Sequence, residues 1–335
     1  MRLCWRVWTA ILVAIVLLAM PSRSFATSCT TQGELQPQDR DALSAIAGRL
    51  ALAVVGQDYG TLQAALLPAE AGDWAGIHDS VELGGPLVKD GQVQLRNIYL
   101  LDATALTATA DTQFFCSNAT GSLTVTMNMR SLPPGKYAVV LADAVGSPLA
   151  GQIGVVLAWD TTSAAAAWKL AGLTVRQGTF DGHDGVWYWS RARELARSEQ
   201  ASGWPAWFSY EAARYLLLPV DFISSPNFEK LSQEQAQIKN SPQDAFPYSL
   251  QDGDRTWKID AVRLDASLRQ ADLAVVYDST GVTDPAAVRT EASAVLSAFL
   301  KAQPGLRQSF HGLWAVAMKD GKRNPIIELP MSQIP

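Results

Sequence analysis

The chain has 335 residues, 48% of them hydrophobic and 18% charged, with three cysteines and a net charge of −5. This excludes a disordered chain, a collagen and a disulfide-dense miniprotein, and the length suits two or three domains, each able to bury its own core. A net negative chain without a sustained basic cluster is also a poor nucleic-acid binder. The densest basic stretch, Arg191, Arg193 and Arg197 interleaved with Glu194, reads as a solvated helix face.

The chain opens with Arg2 and Arg6, an apolar run from Val7 to Met20, and then Pro21 and Ser22-Arg23-Ser24-Phe25-Ala26. Basic, apolar and small-residue segments in that order are the pattern of a secretory signal peptide. The run is shorter than the about 20 apolar residues of a membrane span. Cleavage is expected after Ala26, so residues 1–26 form the signal, and the mature chain carries no membrane span. Loss of three arginines takes the net charge from −5 to −8. Periplasmic or secreted localisation follows. A minority alternative is a lipoprotein anchored through Cys29, because Ala26-Thr27-Ser28-Cys29 resembles a lipobox. Cys4 leaves with the signal, and Cys29 and Cys116, the two cysteines left in an oxidising compartment, are expected to pair.

Along the mature chain, Leu43, Ile46, Leu50 and Val54 recur at helical spacing within 37–67. Gly56-Gln57-Asp58-Tyr59-Gly60 interrupts, a short second helix follows, and Pro68 ends it. A loop is predicted from there through Gly84-Gly85-Pro86. Strands are predicted at Val93–Tyr99, Leu123–Met129, Lys136–Leu141, Gly151–Trp159 and Trp168–Val175. Successive strands without crossover helices argue for an antiparallel sheet.

The helix over Leu43 to Val55, the Gly56-Gln57-Asp58-Tyr59 break, the Leu66-Leu67-Pro68 stop and the strand Ala167 to Leu173 resemble the cone-shaped α+β family of nuclear transport factor two and the SnoaL-like cyclases, over about residues 36–180. The resemblance implies a long helix across a curved sheet that leaves a pocket, catalytic in some members and inert in many. No His or Asp of this chain maps onto a catalytic position of that family.

Beyond Phe180, Asp184-Gly185 precedes a helix from Val186 to Glu199, and Pro205 opens a second helix to Leu218. In the second, Ala206, Tyr210 and Ala213 resemble the second helix of a tetratricopeptide unit. A third, polar helix is expected from Ser225-Pro226 to Lys239. After a linker, two strands, a helix opened by Asp284-Pro285 and two strands joined across Asp320-Gly321 make a ββαββ unit. The expected fold is therefore α+β. A cone-like domain covers 27–181, a helical hairpin with a third helix 182–239, a linker 240–254 and the ββαββ domain 255–335.

No nucleophile elbow, phosphate loop, dinucleotide fingerprint or His-Glu-x-x-His is present. His78, His183 and His311 lie far apart with no cysteine pair near them, so no metal or cofactor is expected. Asp252-Gly253-Asp254 opens like a calcium loop, but its twelfth position is Arg263, and a hairpin turn accounts for it better. Two acid–histidine groups are the catalytic candidates: His78-Asp79, in the predicted loop, and Asp181, His183 and Asp184 before the first hairpin helix. Helix capping by Asp184 and Asp-Gly turns compete with catalysis there. Trp207, Glu211 and Arg214 share one face of the second hairpin helix and are the candidate partner surface. The expected function is a non-catalytic binding or scaffold protein of the cell envelope. The alternatives are a hydrolase or isomerase with a cone pocket, and a carrier of a small apolar ligand.

Overall fold

The computed structural model describes residues 27–162, 165–198, 203–279, 284–319 and 322–335. The signal segment 1–26 and the Asp320-Gly321 turn lie outside them. The chain is α+β, with antiparallel sheets and seven α-helices among the described residues. None of these helices is long and apolar enough to cross a membrane.

The N-terminal half is built on a five-stranded antiparallel sheet. Its strands, in spatial order, are β1 (Ser28–Thr31), β2 (Gln92–Asp102), β5 (Lys136–Val145), β6 (Gln152–Asp160) and β7 (Ala167–Arg176). Between β2 and β5 the chain leaves this sheet as the hairpin of β3 (Ala110–Ser117) and β4 (Thr124–Leu132), which lies over one face. The other face carries α1 (Pro37–Val55), α2 (Tyr59–Ala65) and α3 (Trp74–Val88). Asp58 caps α2 by accepting from the Thr61 amide at 3.0 Å. Pro68 opens a 3₁₀ turn rather than simply ending a helix.

The loop predicted through Gly84-Gly85-Pro86 is a helix instead, α3. The glycines that suggested a loop are there for contact: a Cβ on Gly84 would run into Val175 of β7. Two strands also escape the periodicity. β1 is only four residues long, and β3 buries Thr112, Phe114 and Cys116 behind a polar, threonine-rich approach.

Both faces of the five-stranded sheet are filled. Leu43, Leu50 and Val54 of α1 and Val81 of α3 pack with Ile98, Val140, Ile153 and Leu157 on the helical side, and all are almost fully buried. On the opposite side Tyr99, Leu101 and Val139 pack against Phe114, Cys116 and Met127. The alternation within β2 and β5 sends successive residues into the two cores.

The predicted pairing of Cys29 and Cys116 is present, with a Cα–Cα distance of 5.1 Å. It joins β1, the edge of the larger sheet, to β3 of the overlying hairpin. The Cys29 sulfur is spent in this bridge, so it is not the thioether that lipid anchoring requires.

A two-residue ribbon follows: β8 (Thr179–Phe180) and β9 (His183–Asp184), turned at Asp181 and Gly182. Both turn residues have positive φ, 50° and 78°, as a type I′ hairpin turn demands. Then come α4 (Gly185–Arg197), α5 (Gly203–Leu217), β10 (Ile223–Ser224) and α6 (Pro226–Ala236). β10 returns to pair with β4, so this segment stitches itself back to the N-terminal half.

The C-terminal sheet has the order β11 (Tyr248–Asp252), β12 (Arg255–Asp265), β13 (Asp272–Asp278), β14 (Gly312–Lys319) and β15 (Lys322–Pro330). The span 240–254 is thus not a plain linker. It contains β11, which pairs with β12 across the Asp252-Gly253 turn. β13 and β14 run parallel, joined through α7 (Pro285–Ala302), and the other neighbours are antiparallel.

The helices of 182–239 share one core with 255–335. Tyr188, Phe208 and Leu216 belong to the same buried cluster as Trp257, Tyr277, Leu296 and Phe299. α5 lies at its centre and is buried on most sides, as its all-round apolar sequence requires.

Candidate functional site

His78 and Asp79 sit on α3, not in a loop. His78 stacks on Tyr59 with ring centroids 4.7 Å apart, and its Nδ1 lies 3.6 Å from Asp79 and 3.7 Å from Glu82, both exposed. His183 and Asp184 serve the local fold. Asp184 caps α4 by accepting from the Trp187 amide at 2.8 Å, and His183 stacks on Trp187 at 3.8 Å.

Trp207, Glu211 and Arg214 do not form a free stripe. Trp207 is half-buried against the shared core. The Gln235 side chain of α6 donates to the Trp207 carbonyl (3.4 Å) and to Glu211 Oε1 (2.6 Å). Arg214 is exposed and pairs with Glu211 at 3.0 Å.

The strongest polar node in the helices centres on Glu234 of α6. Arg193 donates to both of its oxygens (2.8 and 2.9 Å), and the Trp189 indole (2.8 Å) and the Tyr210 hydroxyl (3.3 Å) donate to Oε2. The Arg193 bonds, foremost, hold the carboxyl down at about 2. Arg193 also lies over the Trp189 ring at 4.3 Å. This node clamps α4, α5 and α6 together, with both Glu234 oxygens engaged by donors.

A different cluster stands at the start of the parallel pair. Asp272, the first residue of β13, is fully buried. Its Oδ1 lies 2.9 Å from His311 Nδ1, and its Oδ2 accepts from Trp314 Nε1 at 3.1 Å. Glu328 of β15, paired in register with Trp314, adds a second carboxyl. Ligand atoms of Asp272, His311 and Glu328 all lie within 4.8 Å of one another. Glu328 Oε1 is buried without a hydrogen-bond partner. Burial, then the Asp272 charge, pushes the Glu328 carboxyl up, against the pull of His311.

Asp181, at the β8–β9 turn, feels the same group. Burial raises its carboxyl, His311 and His183 oppose, and Asp272 adds to the rise. Of the histidine-linked candidates in the sequence, Asp181 is therefore the one that faces a chemically unusual neighbourhood. Its counterpart is His311, 130 positions on. Asp272 and Glu328 left no signal, because they reach His311 from separate strands rather than through a local spacing.

A surface groove of about 580 Å³ runs between α1, α2 and the facing ends of β6 and β7. Trp159 and Trp168, opposite each other in register, meet edge to face at 5.2 Å. Ala42, Ile46 and Ala64 supply apolar wall, with Arg49 and Lys169 beside it. Among the described residues neither cation is paired with a carboxylate.

Comparison with models of protein families, with curated proteins and with solved structures found no match to this chain.

Proposed function

We propose that this is an exported, non-catalytic binding protein of the cell envelope that engages a partner through its outer surface. The observation that carries this reading is the filled sheet. In a cone-type enzyme or carrier the ligand sits between the long helix and the sheet. Here Leu43, Leu50, Val54, Val140 and Leu157 occupy that space and are almost fully buried. The likeness to the cone family remains a proposal about architecture, supported by α1 lying across an antiparallel sheet.

The groove at Trp159 and Trp168 is the partner surface of this reading. The exposed Trp159 indole, backed by the half-buried Trp168, gives contact area at low entropic cost, and two unpaired cations favour an acidic stretch of the partner protein. The disulfide agrees with an oxidising compartment.

Native mass spectrometry of the exported protein tests this against the carrier reading. The proposal expects a chain beginning at Thr27, two hydrogens lighter for the bridge, with no organic adduct. A retained apolar molecule or a diacylglyceryl increment would overturn it.

A further inference from the structure

We propose that Asp272, His311 and Glu328 bind one divalent transition-metal ion of the zinc class. The proposal concerns the C-terminal sheet and does not rest on the groove at Trp159.

One imidazole and two carboxylates form a borderline donor set, suited to zinc or manganese and less to calcium or magnesium, which take all-oxygen shells. The three donors come from three neighbouring strand ends and already lie within 4.8 Å of one another. Ligands each about 2.1 Å from one ion stand roughly 3 to 3.5 Å apart. Asp272 Oδ1 and His311 Nδ1, at 2.9 Å, are close to that spacing, and a Glu328 oxygen stands within 4.8 Å of both.

A second observation points to a cation at this cluster. Glu328 Oε1 is cut off from water and has no donor. Such an acceptor is costly to bury unless something positive meets it. Gly312 stands beside the two carboxylates. A Cβ there would stand 2.9 Å from Glu328 Oε1, 3.0 Å from Asp272 Oδ1 and 3.0 Å from the Leu329 carbonyl. A side chain at position 312 would therefore press on both carboxylates, and glycine leaves them free to approach one ion.

The donors are held from behind. Trp314 Nε1 fixes the second Asp272 oxygen, the kind of outer hydrogen bond that orients a metal ligand. The His311 backbone is pinned on both sides, its amide donating to Ala271 and its carbonyl accepting from Met331. The His311 side chain is 35% exposed, which leaves an entry path for an ion.

The rival account places protons where the ion would be: one on His311 bonding Asp272, one on Glu328. Zinc titration of the chelator-stripped full-length mature protein separates the two, by calorimetry and by melting temperature at pH 7.5, with zinc chloride and then manganese chloride as probes. The proposal expects one equivalent of zinc, a rise in melting temperature on binding, and at least a tenfold loss of affinity in Glu328→Gln. Metal-free Glu328→Gln should melt no lower than the parent, and His311→Gln serves as a second variant should it fail to fold. His78→Ala tests the exposed His78, Asp79 and Glu82 group and should bind as the parent does. No zinc binding, parent-like binding by Glu328→Gln, or loss of binding in His78→Ala would overturn the proposal.

Discussion

Asp272 Oδ1 and His311 Nδ1 stand 2.9 Å apart, though 39 positions separate them in the chain. The parallel pairing of β13 with β14 brings them together, with the α7 crossover between. Asp272 also accepts from Trp314, so a fully buried carboxylate is met by two donors. Removing its charge leaves both with a poorer acceptor. Asp272→Asn should cost about 2–3 kcal/mol of stability in metal-free buffer, in line with hydrogen bonds to a charged group. Urea unfolding with chelator checks this, and a loss below about 0.5 kcal/mol would show that the pair contributes little.

Reduction of the Cys29–Cys116 bridge should destabilise the N-terminal half. The bridge spans 87 positions, which in the chain-entropy picture corresponds to about 4–5 kcal/mol as an upper bound. Unfolding followed with and without reductant should show a clear fall in midpoint, with Cys116→Ala matching the reduced protein.

Glu234 gives the fold an acid sensitivity. Its carboxyl is held at about 2 against an ordinary 4.5, chiefly by Arg193. A depressed carboxyl stabilises the fold above its unfolded-state value and loses that contribution as the pH falls toward the folded one. The window is therefore pH 4.5 down to 2. With the Arg193 side chain 34% exposed and partly screened by solvent, the contribution is discounted to about 2 kcal/mol at neutral pH. Glu234→Gln should lose that much at pH 7 and show a flatter decline across the window, readable from melting temperatures at half-unit pH steps.

Trp207 is packed against the shared core, so Trp207→Ala should lower stability by about 3 kcal/mol, the low end for a large aromatic. A melting temperature unchanged by this substitution would restore the face with Glu211 and Arg214 as a free surface.

Gly84 lets α3 rest on Val175. Gly84→Ala should cost about 1–3 kcal/mol through overpacking, and Val175→Ala in the same chain should recover part of it. Additive losses in the double variant would mean that the two residues do not meet.

Much of this architecture is legible locally. The spacing of Leu43, Leu50 and Val54 marks α1, the alternation around Val125 and Met127 marks β4, and the count of cysteines leaves Cys29 to Cys116 as the one pairing in the mature chain. Elements that exist because of distant partners are not legible. β1 and β10 are too short to carry a period, and α3 is disguised by Gly84 and Gly85, whose purpose is contact with other elements. The union of the helical hairpin with the C-terminal sheet follows from α5 being apolar on nearly all sides, a pattern that two flanking layers explain better than one. Of the acid–histidine groups, only Asp181 comes near the buried cluster, because His311, Asp272 and Glu328 are assembled by sheet register rather than by sequence spacing.

The most direct test of partner binding through the outer surface is photo-crosslinking in intact cells, with a benzophenone side chain at position 64, on the wall of the Trp159 groove. The account predicts one discrete adduct with an envelope protein, abolished when Trp168→Ala and Lys169→Glu are combined in the same chain. No adduct, or an adduct that survives the double substitution, would contradict it.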